Sequence, residues 1–124
     1  MARILVIDDE ELVRRAVVRM LATAGHDVRA APDGASGLSL WRDGGADLVL
    51  TDICMPDMTG FELISELRAA GEAVPVIAMS GTVLVTDLEV IRQVELLSAV
   101  HLLAKPFSWD QLMTAVNAAL SATS

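Results

Sequence analysis

The feature that most constrains this chain is an alternation of two periods. Short apolar runs, Ile4-Leu5-Val6-Ile7, a weaker Val28 to Ala31, Leu48-Val49-Leu50, Val74 to Met79 and His101-Leu102-Leu103-Ala104, are separated by segments of ten to fifteen residues with helical spacing. In the first such segment Leu12, Val13, Ala16, Val17, Met20, Leu21 and Ala24 form one stripe, and Arg14, Arg15 and Arg19 fall largely off it. Strands without a polar face are buried on both sides, and strands that alternate with helices are joined by crossovers. Together these predict a parallel sheet covered by helices on both faces, a doubly wound α/β domain.

Local chemistry predicts where the helices begin and end. A hydroxyl at the N-cap and a Glu or Gln three residues later can satisfy each other's backbone donors, and Thr59 with Glu62, Thr86 with Glu89 and Ser108 with Gln111 have that spacing. Asp33 is a simpler cap. Gly25, Gly44-Gly45 and Gly71 are the corresponding stops, so helices are predicted over 10–24, 34–43, 60–70, 86–98 and 109–120. At 124 residues the chain fits one domain, and 53% apolar residues are enough to fill its core. Residues 1–120 are read as that domain and 121–124 as a short polar tail.

Charge and composition exclude several roles. Nine basic against 17 acidic side chains give a net charge of −8, which repels phosphate backbones and anionic membranes, so direct nucleic-acid binding is not expected. No uncharged stretch exceeds 14 residues, and the most apolar of that length, Ala73 to Thr86, is interrupted by Pro75, Ser80 and Gly81, short of the roughly 18–20 that span a bilayer. One cysteine, Cys54, forms neither an internal disulfide nor a zinc cluster; with no leader pattern after Met1, a cytoplasmic protein is expected. Cys54 itself reads as a small buried hydrophobe. Arg14, Arg15 and Arg19 read as the solvated side of the first helix, or else as a docking face for an acidic partner. His26 and His101 lack partners at ligand spacing, and Trp41 and Trp109 read as packing residues or partly exposed anchors.

In a sheet of this class ligands bind beyond the carboxyl ends of the strands. There the sequence places Asp8 and Asp9 after the first strand, Asp52 after the third, Ser80 after the fourth and Lys105-Pro106 after the fifth. Three clustered carboxylates repel one another unless a cation sits among them, and hard oxygen donors in an open site suit Mg²⁺. A carboxylate can accept a phosphoryl group while a metal and a lysine neutralise the charge on it. Asp52, alone at its strand end, is the expected nucleophile; Asp8 and Asp9 suit the metal, and Ser80 could donate to a phosphoryl oxygen.

With these residues the chain resembles the receiver domain of two-component response regulators over essentially its whole length. The matching motifs are Val6-Ile7-Asp8-Asp9-Glu10, Leu50-Thr51-Asp52-Ile53-Cys54-Met55-Pro56 followed by Gly60, Met79-Ser80-Gly81-Thr82 and Lys105-Pro106-Phe107. The resemblance implies a flavodoxin-like fold with strand order 2-1-3-4-5. It also implies phosphorylation of Asp52 by a sensor histidine kinase or a histidine phosphotransfer protein, and Mg²⁺ bound by Asp9, Asp52 and the Cys54 backbone carbonyl, with Asp8 acting through water. Lys105 would pair with the phosphoryl group, Ser80 would follow it as a switch hydroxyl, and the Lys105-Pro106 peptide would be cis. Such a domain catalyses only its own phosphotransfer and dephosphorylation. It acts on a downstream protein or an attached output domain, as a monomer or as a dimer formed on phosphorylation.

Two departures from the family pattern stand out. Leu102, beside His101, occupies the position where an aromatic usually accompanies the switch, and the 25 positions from Ser80 to Lys105 exceed the usual separation. Two other readings compete. A phosphohydrolase of the haloacid-dehalogenase type would carry a second Asp where this chain has Cys54, and a degenerate receiver acting only as a binding module would have lost Asp9, Asp52 or Lys105, all of which are present. No glycine-rich nucleotide loop is found.

Overall fold

A computed structural model of the chain describes residues 1–81 and 100–121. Strands β1 (Arg3–Ile7), β2 (Asp27–Ala31), β3 (Leu48–Asp52), β4 (Val76–Gly81) and β5 (Val100–Lys105) alternate with helices α1 (Glu11–Thr23), α2 (Gly34–Gly44) and α3 (Gly60–Ala69), and α4 (Trp109–Ser121) closes the described chain. All strand pairs are parallel, and the order across the sheet is β2-β1-β3-β4-β5. The parallel doubly wound sheet is the one the residue pattern predicts, and the order is the one the resemblance implied. The helix expected over 86–98, with its Thr86 and Glu89 cap, and residues 122–124 of the tail lie outside the described residues.

Successive side chains on each strand face opposite layers, which explains why the strands are apolar throughout. Ile4 and Val6 of β1, with Leu48, Leu50, Ile77 and Met79, pack against Val17 and Leu21 of α1 and Leu112, Val116 and Ala119 of α4. Leu5, Ile7, Val49 and Val76 face the other way, onto Leu38 of α2 and Leu63, Ile64 and Leu67 of α3. The weak second run forms the edge strand β2, where Arg29 and Ala30 sit against only one neighbouring strand. Strand β4 begins at Val76, two residues later than the apolar run, because Pro75 has no N–H to donate and contributes only its carbonyl, which accepts from Val49 N–H at 3.1 Å.

The caps follow the sequence chemistry. Ser108 and Gln111 form the full reciprocal box, with Ser108 N–H donating to Gln111 Oε1 at 2.8 Å and Gln111 N–H to Ser108 Oγ at 3.1 Å. The hydroxyl of Thr59 accepts from Glu62 N–H at 3.2 Å, and the Asp33 carboxylate from Ser36 N–H at 2.7 Å. Of the paired glycines at the end of α2, Gly45 rather than Gly44 takes a positive φ, +63°. Gly44 remains in the helix, and Arg3 and Arg29 donate to the carbonyls of Gly44 and Gly45, holding the negative end of α2.

Candidate functional site

Because all five strands run the same way, their carboxyl ends meet on one edge, and the polar residues cluster there. Asp8 follows β1, Asp52 ends β3, Ser80 lies one residue before the end of β4, and Lys105 ends β5. Asp8, Asp52 and Ser80 are buried, at 0%, 4% and 0% exposure. Burial of two carboxylates is tolerable only with a counterion, and Lys105 supplies it. Its Nζ lies 2.9 Å from Asp8 Oδ2 and 3.3 Å from Asp52 Oδ2, and 3.6 Å from Glu10 Oε1.

The backbone around these groups is fixed by short-range contacts. Asp8 Oδ1 accepts from Glu10 N–H at 2.9 Å, folding the β1–α1 corner over the carboxylate. Arg14, one turn into α1, donates from Nη1 to the Asp8 carbonyl at 2.8 Å. Asp52 Oδ1 accepts a long bond, 3.4 Å, from Cys54 N–H. Gly60 opens α3 directly against the end of β3; it donates N–H to the Ile53 carbonyl at 2.9 Å, and a Cβ there would overlap the Asp52 carbonyl oxygen. Only glycine lets α3 approach the Asp52 corner so closely. The Lys105-Pro106 peptide is cis, as the resemblance implied.

Electrostatics follow from this packing. Burial, reinforced by the neighbouring Asp8 charge, pushes the Asp52 carboxyl up to about 6 against the opposing pull of Lys105. For Lys105 burial alone would lower the pKa, but the bonds and charges of Asp8 and Asp52 outweigh it and hold the ammonium above its ordinary value. Partial desolvation against the protein surface and the Asp52 charge raise the Cys54 thiol, so it is not an activated thiolate.

Among the described residues the hydroxyl of Ser80 is the one buried side-chain polar atom with no hydrogen-bond partner. An orphaned hydroxyl at the same sheet edge as Asp8, Asp52 and Lys105 suits a site built to receive a further polar group. Oxygens of Asp8, Glu10 and Asp52 lie within 4.8 Å of one another, a hard-oxygen donor set that fits a divalent cation such as Mg²⁺.

Of the residues singled out from the sequence, Asp8, Asp52, Ser80 and Lys105 are thus gathered at one edge. Asp9 is exposed, and Glu10 rather than Asp9 joins the carboxylate cluster. The acidic run Asp8-Asp9-Glu10 was the available signal for Glu10. Two readings are corrected. Cys54 is exposed, not buried, because Ile53 and Met55 on either side turn into the core at 4% and 6% exposure and leave it facing out. Arg14 is not simply a solvated residue of α1: it is half-buried and tied to the Asp8 carbonyl. Leu102, in the position where an aromatic was expected, is half-buried on β5 opposite Ala78. Among the described residues no helix is long and apolar enough to cross a membrane.

Comparison with known proteins agrees with this geometry. The sequence pattern of the family described as response regulator receiver domain matches residues 4–117. The regulatory protein AtoC of Escherichia coli K12 is 37% identical over 119 residues, covering 95% of this chain but 25% of AtoC. The response regulator MprA of a Mycobacterium species, strain KMS, is 33% identical over 122 residues, covering 98% of this chain and 52% of MprA. The chain therefore spans about a quarter to a half of the curated relatives it matches. Among solved structures, the chemotaxis protein CheY4 of Vibrio cholerae superposes with a TM-score of 0.88 at 30% identity, over 97% of this chain and 99% of that one. The receiver domain of the Francisella response regulator 1452 does so at 0.88 and 29% identity, over the full length of both chains. Receiver domains are signalling modules whose role is to accept a phosphoryl group, and this chain belongs to the response regulator receiver domain family.

Proposed function

We propose that this domain is a phosphorylation switch in which Asp52 takes a phosphoryl group from the phosphohistidine of a sensor kinase or a histidine phosphotransfer protein. The observation that carries the reading is Asp52 itself: a buried carboxylate at a strand end, 3.3 Å from an ammonium and on the same sheet edge as an orphaned buried hydroxyl. In the transfer, a carboxylate oxygen of Asp52 forms a bond to phosphorus as the phosphorus–nitrogen bond breaks, and the bonding pair leaves with the imidazole. Lys105 stands where charge accumulates on the phosphoryl oxygens, and Ser80 gains in the phosphorylated state the acceptor it lacks here.

Asp9, Asp52 and the Cys54 carbonyl would hold Mg²⁺, with Asp8 acting through water. The ion supplies charge neutralisation between the carboxylates and the incoming phosphoryl group. Closure of Ser80 and Lys105 on the phosphoryl group shifts a two-state equilibrium that a partner reads. That partner is a downstream protein or an output domain in the same polypeptide. The domain, residues 1–120 followed by a polar tail, acts in the cytoplasm as a monomer or a phosphorylation-dependent dimer, and its chemistry is confined to its own phosphorylation and dephosphorylation.

A cavity of about 710 Å³ has Glu10, Asp52 and Lys105 of the site in its lining and continues over an apolar wall of Leu12, Val13 and Met20 of α1 and of Phe107. Leu12 is 82% exposed there, which suits transient docking of the phosphodonor against α1. The degenerate-module alternative is not favoured, since Asp52 and Lys105 are both present and paired. Asp9→Ala is expected to weaken Mg²⁺ binding by about tenfold in calorimetric titration, as loss of a carboxylate ligand should. An unchanged titration would place the metal on other residues.

A further inference from the structure

The third carboxylate around Lys105 has no part in the scheme above. Asp8 and Asp52 approach the ammonium from the protein interior, whereas Glu10, its side chain 62% exposed, approaches from solvent. The same Glu10 carboxylate lies within 4.8 Å of the oxygens of Asp8 and Asp52 that would face a cation. One solvent-exposed carboxylate therefore has an ammonium within reach and would have a second positive partner once a cation is bound. Its backbone is held at the start of α1 by the Asp8 side chain, through the Glu10 N–H, and by Arg14 N–H, which donates to the Glu10 carbonyl at 2.9 Å. The side chain makes no cap bond of its own, so only the carboxylate is left to move.

We propose that Glu10 is a clasp shared between Lys105 and the divalent cation, a role that rests on the phosphoacceptor reading of the site. Without metal it holds Lys105 from the solvent side. When the cation enters, Glu10 swings to it, directly or through one of its waters, and Lys105 gives up its solvent-side carboxylate, the one on the side open to an incoming phosphoryl oxygen, while Asp8 and Asp52 keep their hold from the interior. Metal binding thereby prepares the lysine for phosphotransfer. The balance is one of charge: a divalent ion attracts the carboxylate about twice as strongly as an ammonium at equal distance.

The test is Mg²⁺ affinity, by calorimetry on the unphosphorylated protein, in Glu10→Gln, Lys105→Met and the double variant, with Glu11→Gln as a surface control. Glu11 is exposed and pairs with Arg15 across one helical turn. Glu10→Gln is expected to weaken Mg²⁺ binding roughly three- to tenfold, and Glu11→Gln by less than about twofold. In the Lys105→Met background the Glu10 effect should be at least about threefold larger, because Glu10 no longer has to leave an ammonium. An unchanged affinity in Glu10→Gln, or an equal Glu10 effect in both backgrounds, overturns the clasp; the latter is what a distant charge alone would produce.

If Lys105→Met does not fold, the Lys105 side-chain Cε signal replaces the cycle. Glu10→Gln without metal should move it in the same sense as Mg²⁺ moves it in the wild type, and a signal that Glu10→Gln leaves in place refutes the proposal. Asp52→Asn separates the two levels of argument. A loss of Mg²⁺ affinity there with none in Glu10→Gln sinks the clasp alone, whereas no loss in Asp52→Asn removes the site reading beneath it.

Discussion

Asp52→Asn is expected to reduce labelling by acetyl phosphate to background while making the metal-free domain more stable at pH 7.5, by about 1–2 kcal/mol. Loss of labelling follows from loss of the nucleophilic carboxylate. The gain in stability follows from its burial. In the folded protein the Asp52 carboxyl is pushed up to about 6 by burial and by Asp8, above its value in the unfolded chain. A raised acid binds more protons folded than unfolded, so its ionisation costs stability at pH above 6, and that cost fades as the pH falls through 6 towards 4.

Raising the carboxyl from its ordinary range to about 6 corresponds to about 3 kcal/mol with the pull of Lys105 already included, and the cost of burying an amide with fewer hydrogen-bond partners leaves the smaller figure. Urea denaturation of both proteins at pH 7.5 and pH 5 measures the effect. The variant should lead at pH 7.5 and lose most of its lead at pH 5. A variant less stable than the wild type at pH 7.5, or a lead independent of pH, would contradict this electrostatic account.

Lys105→Met should act in the opposite direction. The ammonium is the shared counterion of Asp8, which is fully buried, and Asp52, which is nearly so. Removing one partner from a buried charge cluster leaves the others uncompensated, and about 2–4 kcal/mol should be lost at pH 7.5. The wild-type contribution of Lys105 is present below the ordinary lysine pKa, because the carboxylates raise its folded value, so the comparison at pH 7.5 captures it in full. Without the ammonium the Asp52 carboxyl should titrate higher still, so the variant should recover stability as the pH falls from 7.5 to 5.5. The same urea series reads this out. A loss under about 1 kcal/mol, or one unchanged by acid, would mean that the carboxylates are solvated rather than dependent on Lys105.

The two variants also show which parts of the site were legible in the sequence. Asp52 and Lys105 could be found because each is a charged residue ending a strand with no other charged residue, and parallel strands bring such ends together whatever the details of packing. The layers were legible for the same reason: Ile4 and Val6 alternate with Leu5 and Ile7, and both sets are buried. Side-chain direction in the connecting loops was not. Whether Asp9 or Glu10 turns toward the lysine depends on how the β1–α1 corner folds over Asp8, and that is set by the Asp8 bond to Glu10 N–H and by Arg14 on the Asp8 carbonyl. Cys54 failed in the same way, since its exposure is decided by Ile53 and Met55 turning inward after the strand has ended. Strand ends declare themselves through composition, and loop residues are placed by contacts that carry no period.

The central claim is that this edge of the sheet is a phosphoryl-responsive switch, and the most direct measurement is the amide NMR spectrum with Mg²⁺ and beryllofluoride, a phosphoryl mimic, for wild type and Asp52→Asn. The account predicts large shifts at Asp52, Ser80 and Lys105 in the wild type and none beyond the effect of Mg²⁺ in the variant. A wild-type spectrum that responds to Mg²⁺ but not to beryllofluoride, or a variant that responds as the wild type does, would contradict it.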